Sequence, residues 1–450
     1  MYASYPLVRG RHPQMGAFDH HAGVSASSLP ETDSGPGAGA AFSLSRVIPL
    51  YLVVFAGFVG YSLMIAIFTP LLLRRDGGML PRADGLSTRT ILLGILLALY
   101  PLAQFFGAPV IGALSDRYGR RHTLLVSLTA SIASYLLIAA AVQARTLALL
   151  MVACFIAGLC EANIAVAQSA VADVAPVAQR SRLFGYVYLS SSFAYVVGPL
   201  AGGKLADRHL VSWFDYATPF WAAAALLAAI LALTAIRFRE TARIGAGAAQ
   251  IRLAQAFHNL IAVFAPGSLR RLYLANFVLY LAIFGFFRVY PMYLVNRFHM
   301  GVSRESLFVA WVAVPIVAAN LGIVAWLAGR LTPRQMAARA AGVLAVAMAA
   351  IVVPSAEGTL WVTLGASALA LAVCLPAAAA IISEAVPAAE QGSALGSNQS
   401  LQVGAEALSG LAGGGLAALA TTLPLSVMAA LAAVASLLLV RERYASAAPS

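Results

Sequence analysis

The stretch GALSDRYGRR, Gly112 to Arg121, lies between two apolar runs, 90–111 and 123–142. Each run is about long enough to cross the hydrocarbon core of a bilayer, which takes roughly 20 apolar residues. The stretch between them is too short for a domain, and with Asp116, Arg117, Arg120 and Arg121 it is too charged for lipid. It reads as a tight loop at a membrane surface, and arginine at that density marks the cytoplasmic side. Its two glycines have separate expected uses. Gly112 allows close approach of a neighbouring helix, and Gly119 takes a backbone angle that other residues avoid.

The composition agrees with a membrane protein. Of 450 residues, 61% are hydrophobic and only 10% charged, with mean hydropathy +0.84, whereas a soluble domain carries about 25% charged residues. The net charge of +12 is spread over short loops rather than gathered in a patch. The lipid bilayer is therefore the implied partner, and no nucleic acid is expected. Cys154, Cys160 and Cys374 all lie in apolar runs without paired or metal-type spacing, so no disulfide framework, metal site or cofactor is implied.

Working outward, residues 1–45 are rich in Gly, Ser, Ala and Pro and read as a disordered tail, not a signal peptide. Apolar runs follow at 47–73, 90–111, 123–142, 147–171, 184–206, 217–236, 271–295, 306–328, 336–354, 359–382, 393–417 and 423–440. The expected fold class is thus an all-α membrane protein of about twelve transmembrane helices, with both termini cytoplasmic. Most Lys and Arg fall on the side of the Gly112–Arg121 loop; the exception is the first outer loop, with Arg74, Arg75, Arg82 and Arg89. The expected organisation is a first six-helix bundle over 46–236, a cytoplasmic linker over 237–270, a second bundle over 271–442 and a tail over 443–450. In the linker, Ile251, Ala254, Phe257, Ile261 and Phe264 recur at helical spacing and predict an amphipathic helix on the membrane surface.

Gly112, Leu114, Asp116, Arg117, Gly119, Arg120, Arg121 and Leu124 match G-x-L-x-D-R-x-G-R-R-x-x-L, the loop signature of the major facilitator superfamily, which this chain resembles. The resemblance implies two six-helix bundles related by internal pseudo-symmetry. The sequence carries such a relation: Asp173 to Pro176, Gly185 and Gly202–Gly203 align at one constant offset with Glu384 to Pro387, Gly396 and Gly413–Gly414. A weaker copy of the opening stretch is Gly329 to Arg334.

Within that superfamily, Gly185, Gly198, Pro199, Gly202 and Gly203 resemble the fifth-helix signature of twelve-span drug/proton antiporters, with Ala194 in place of one glycine. The small residues are expected to let this helix pack on its partner in the other half, with Pro199 kinking it. Ser409, Gly410, Gly413 and Gly414 of the eleventh helix offer the equivalent face, and the two faces are expected to meet. The fourth helix resembles that of tetracycline/proton antiporters at Gly158, Ala162, Ala172 and Asp173. Cys154 stands where that family has an arginine, and the first helix lacks the family's acid, so its proton relay does not carry over residue by residue.

Three ionisable groups fall inside spans instead: Glu161 in the fourth, seven positions after Cys154 and so on one helix face; Glu406 in the eleventh; and Arg288 in the seventh. Such groups cost a few kcal/mol or more in lipid and usually face a cavity. Glu161 and Glu406 are the candidate proton-coupling acids, with a structural ion pair or a hydrogen bond between helices as the alternative for each. Arg288 lines the substrate cavity or snorkels outward. Further candidates for the cavity wall are Tyr61, Gln104, Gln168, Tyr195, Tyr280, Phe284, Phe287, Asn320 and Gln402.

The function these features imply is a secondary active exporter, a monomer driven by the proton gradient, carrying a small amphipathic molecule such as a drug or a secreted siderophore. The alternatives are a proton-coupled or facilitative importer, against which the Gly198–Pro199 motif speaks, and a receptor without flux, which has no use for mid-span acids. An enzyme is not expected: the sequence has no phosphate-binding glycine loop of the G-x4-G-K-[ST] type and no nucleophile arrangement.

Overall fold

The computed structural model describes residues 44–75, 78–174, 180–241, 269–353, 356–386 and 391–445. The predicted amphipathic helix of the linker, and the N-terminal tail up to residue 43, lie outside the described residues. All elements described are helical. The first three spans are α1 (Leu44–Leu73), α2 (Leu86–Tyr118) and α3 (Arg120–Gln143). The fourth is broken into α4 (Leu147–Cys160) and α5 (Asn163–Val174), followed by α6 (Arg180–Leu205), α7 (Thr218–Arg237) and α8 (Arg270–Phe298). The eighth runs as α9 (Val302–Ala318), a π turn (Ala319–Ile323) and α10 (Val324–Ala328). Then come α11 (Pro333–Val352), α12 (Thr359–Glu384), α13 (Gln391–Leu419) and α14 (Leu423–Ala445).

Among the described residues, ten of these spans are long and apolar enough to cross a bilayer, taking α4 with α5 and α9 with α10. The fifth and eleventh predicted spans, α6 and α13, are not among the ten. Asn398, Gln399, Gln402 and Glu406 dilute the second of these.

Local chemistry sets the helix ends. Asp215 Oδ1 accepts from the Ala217 and Thr218 amides at 2.9 and 3.1 Å, satisfying donors at the start of α7. Thr332 and Gln335 form a capping box on α11, with Pro333 leading the helix. Of the four arginines of the first loop, Arg89 has a clear structural use. Arg89 is buried and donates to the carbonyls of Leu72 (2.8 Å), Arg74 (3.2 Å), Asp84 (3.2 Å) and Pro81 (2.6 Å). It closes the end of α1 and the loop onto the start of α2.

One apolar cluster is built from α1–α7 and a second from α8–α14, with Met292 and Val295 of α8 joining the first. Two helix pairs make the most extensive junctions between the clusters, both on the side opposite the Gly112–Arg121 loop. In one, α2 meets α13 backbone to backbone: a Cβ on Gly94 would lie 2.6 Å from the Gly410 carbonyl oxygen and 2.8 Å from Gly414 Cα. Beside it Ser87 Oγ donates to the Ala418 carbonyl at 2.9 Å. In the other, α6 meets α9: a Cβ on Gly203 would lie 2.5 Å from Ser306 Cβ. Arg74 Nη1 adds a bond to the Met300 carbonyl at 3.4 Å.

This pairing corrects the expectation that the small faces of the fifth and eleventh helices meet each other. Gly198 faces its own half: a Cβ there would collide with Ser62 Oγ and come within 2.8 Å of the Val59 carbonyl oxygen, both on α1. Gly202 likewise faces Leu63. Pro199 lies inside α6, which continues through it. Each small face serves a different neighbour because helix periodicity sets which residues share a face, not which helix fills it.

Gly94→Leu is expected to leave both clusters folded while holding α2 off α13. Overpacking of about 1–3 kcal/mol should reduce disulfide cross-linking between Ser87→Cys and Ala418→Cys by roughly tenfold or more. Undiminished cross-linking would show that this contact does not depend on glycine.

Candidate proton and substrate site

The chain breaks its fourth span at the predicted acid. α4 ends at Cys160, Glu161 caps it with its amide bonded to the Ala157 carbonyl at 2.9 Å, and α5 resumes at Asn163. The break comes after Glu161, so Glu161 keeps its helical spacing from Cys154, seven positions earlier. Glu161 is buried, and each carboxylate oxygen accepts from a tyrosine: Oε1 from Tyr135 of α3 at 2.6 Å, Oε2 from Tyr100 of α2. Glycines admit these groups. A Cβ on Gly60 of α1 would collide with the Tyr135 hydroxyl, and one on Gly158 with the Tyr100 carbonyl.

Glu406 and Arg288 form an ion pair, Nη2 to Oε1 at 3.0 Å, with 12% and 2% of their side chains exposed. Arg288 therefore does not snorkel. Tyr61 of α1 donates to Glu406 Oε1 and accepts from Arg288 Nη2, so the first half reaches the pair in the second half directly. Arg288 also lies over the Tyr61 ring, 5.2 Å from its centre. Tyr61 and Tyr100 stack with centroids 4.9 Å apart and planes 30° apart. The two acids thus sit at opposite ends of one tyrosine pair, Glu161 beyond Tyr100 and Glu406 beyond Tyr61. Tyr195 of α6 stacks across the halves on Phe287 of α8, with centroids 6.3 Å apart.

The other predicted wall residues are less involved. Gln104, Gln168 and Gln402 are half-buried, and among the described residues none is bonded to the cluster. Asn320 is exposed in the π turn. Tyr280 belongs to a separate network: Asn398 Nδ2 donates to its hydroxyl at 2.7 Å, and Asn276 Nδ2 donates to Asn398 Oδ1 at 3.1 Å. Sequence reading missed Tyr100, Tyr135, Asn276 and Asn398. A polar group recurring inside an apolar run was the available signal, and nothing local said which ones converge.

The loop motif ties its own half together. Arg120 reaches Asp116 Oδ1 at 2.6 Å, Ser115 Oγ at 2.9 Å and Asp173 Oδ2 of α5 at 3.1 Å. Arg121 donates to the Ala235 and Phe238 carbonyls at the end of α7, at 2.8 and 2.9 Å. Arg117 lies over the Tyr118 ring. The carboxylate of Glu240, also missed from sequence, accepts from the amides of Arg120 and Arg121 at 2.8 and 2.9 Å, an anion at a helix N-terminus. Gly112 does not make its expected close approach, since a Cβ there would meet nothing within 4 Å. Gly119 has φ 92° and ψ 155°, a region almost confined to glycine. Gly119→Ala should therefore cost about 1–3 kcal/mol, read as a lower midpoint of thermal unfolding in detergent. An unchanged midpoint would contradict it. At the corresponding place in the second half, Thr332, Arg334, Gln335 and Glu384 line a cavity of about 340 Å³, so the weaker motif copy and the second acid of the repeat again lie together. Gly185 lies in α6.

The comparisons with known proteins agree with this architecture. The family model described as Major Facilitator Superfamily matches residues 50–370, more than half of the chain. The tetracycline resistance protein, class H, of Pasteurella multocida is 39% identical over 150 residues, which cover 33% of this chain and 35% of that protein. The class C protein of Escherichia coli is 41% identical over 133 residues, 30% of this chain and 31% of that protein. The match thus spans about a third of the length of these relatives. Among solved structures, the human organic anion transporter MFSD10 aligns over 88% of this chain and 99% of its own, with TM-score 0.66 and 20% identity. A D-xylose-proton symporter aligns over 88% and 97%, with TM-score 0.70 and 15% identity. With its loop motif, its helices and this match in agreement, the chain belongs to the Major Facilitator Superfamily, a family of multi-pass membrane transporters.

Proposed function

We propose that the chain is a proton-driven exporter of small amphipathic molecules, seated in a bacterial inner membrane with the Gly112–Arg121 loop and both termini in the cytoplasm. The observation that carries this reading is the placement of two acids at the ends of one tyrosine pair where the halves meet. Glu161 lies on the first-half side and the Glu406–Arg288 pair on the second-half side. Buried acids with hydroxyl donors hold or release a proton according to whether the site is open to water. Substrate enters from the loop side, where the halves are not joined by the glycine contacts described above. Proton binding from the outer side neutralises a carboxylate and shifts the balance between the two access states. The aromatic wall of Tyr61, Tyr195 and Phe287 suits a flat or amphipathic solute. The tetracycline resistance proteins among its relatives make tetracycline the first compound to test.

The test is substrate accumulation in inverted membrane vesicles with an acidified lumen, across a panel of cationic and amphipathic drugs led by tetracycline. Accumulation that stops when the gradient is collapsed supports export. Uptake confined to right-side-out vesicles, with protons entering alongside substrate, would replace export by import.

A further inference from the structure

Glu305 belongs to none of the groups above. It sits in the first turn of α9, near the joined face, and is fully buried. Its Oε1 has no hydrogen-bond partner, and Oε2 has the Ser306 hydroxyl at 3.4 Å. Its neighbours on α9 face the other half of the molecule. Val302, one turn earlier on the same helix face, packs into the first-half cluster, which Met292 and Val295 of α8 also join. The next residue, Ser306, stands against Gly203 of the motif helix. Ser303 bonds to the Gly203 carbonyl at 3.3 Å and to Asp207. A charged carboxylate with a bare oxygen is costly in such a place, whereas a neutral acid is tolerated.

We propose that Glu305 is a proton-binding site of the seal between the halves, separate from the central cluster. It takes up one proton when α6 and α9 close on each other and returns it to the same side when they part. That this side is the outer one rests on the function proposed above. Because the proton enters and leaves on one side, Glu305 carries no net proton across the membrane. It makes closure depend on outer pH.

The charged and titratable groups around it leave this role to Glu305. Tyr290 of α8 is buried nearby. Lys204 of α6 is exposed. Arg304 pairs with Glu357, ahead of α12, at 2.5 Å. Arg74 at the end of α1 bonds to the Met300 carbonyl. Asp207, beyond α6, is held below the usual carboxylate range by the Ser303 hydroxyl and the His209 amide, so it stays ionised where Glu305 is neutral. Among the described residues, none of these bonds to Glu305.

The sign follows from proton uptake on closing. Closure is favoured as outer pH falls and lost as it rises, by up to about tenfold in the closed-to-parted ratio per pH unit. The test uses the full chain in lipid nanodiscs, with Cys154, Cys160 and Cys374 replaced and spin labels at Leu210→Cys and Val362→Cys, both exposed on this side. In the parent protein the short inter-label distance should dominate at pH 5.5 and give way to a longer one at pH 8. Glu305→Gln should hold the short distance at both values, and Glu305→Asp should keep the shift. A Glu305→Gln protein that shifts like its parent, or a parent that does not shift, overturns the proposal. Glu406→Gln separates the two readings. A pH shift that persists in it, with efflux lost, supports both. A shift abolished by Glu406→Gln and retained by Glu305→Gln overturns the seal proposal and leaves proton-driven export standing.

Discussion

Glu161→Gln is expected to insert and fold, and to lose all concentrative efflux. The amide has nearly the shape of the carboxylate, so Tyr135 can still donate to its oxygen while the Tyr100 hydroxyl turns to accept from its nitrogen. With both bonds kept in altered form, the folding cost is on the order of 1 kcal/mol. What disappears is the proton. The substituted amide stays neutral at every pH, so opening the site to one side or the other no longer changes its occupancy, and the gradient has nothing to act on there. The assay is drug accumulation in energised inverted vesicles beside a size-exclusion profile of the detergent-extracted protein. Efflux that survives and still follows pH would remove Glu161 from the coupling machinery and leave it a structural tie between α2, α3 and α4.

Arg288→Gln is expected to do more damage to the fold than any other single change in the central cluster. It strips the mostly buried Glu406 of its cation and Tyr61 of its donor. Removing one partner of a buried pair typically costs about 3–5 kcal/mol, because the remaining charge is left unpaired. Arg288→Gln combined with Glu406→Gln should recover much of that loss, since no charge is then stranded. Thermal unfolding in detergent, followed by intrinsic fluorescence, reads both. If the single variant melts like the parent, the ion pair contributes nothing to holding the second half together. If the double variant is as unstable as the single, the damage comes from lost packing of the guanidinium rather than from the stranded charge.

The parts of this architecture that were legible in sequence are those written in local pattern. The run of apolar segments, the loop at Gly112–Arg121 and the repeat linking Asp173 to Glu384 need only neighbours along the chain. Gly119 was legible because its backbone angle is a property of one residue. The partners were not legible. Gly94, Gly410 and Gly414 are three small residues in Ala-rich helices, and only the packed chain shows that they lie against one another. The same holds for the tyrosines. Tyr100 and Tyr135 look like ordinary apolar-helix aromatics until both hydroxyls are found on Glu161, 61 and 26 residues away. The break at Glu161 and the π turn at Ala319–Ile323 escaped because hydropathy runs smoothly through both. Glu305 escaped because it falls at the start of a span, where an acid reads as a solvated helix end.

Arg89 has a practical consequence for protease mapping. The first loop offers trypsin several arginines, but they are not equivalent. Arg82 is exposed, whereas Arg89 is 2% exposed with its guanidinium spent on four backbone carbonyls. Trypsin should nick the native protein after Arg82 and spare Arg89 until the loop unravels. A cut at the first position reports which face of a sealed vesicle the loop occupies, and a cut at the second reports that the end of α1 has come undone. One digestion thus supplies both a sidedness marker and an integrity check, without a substitution or a label.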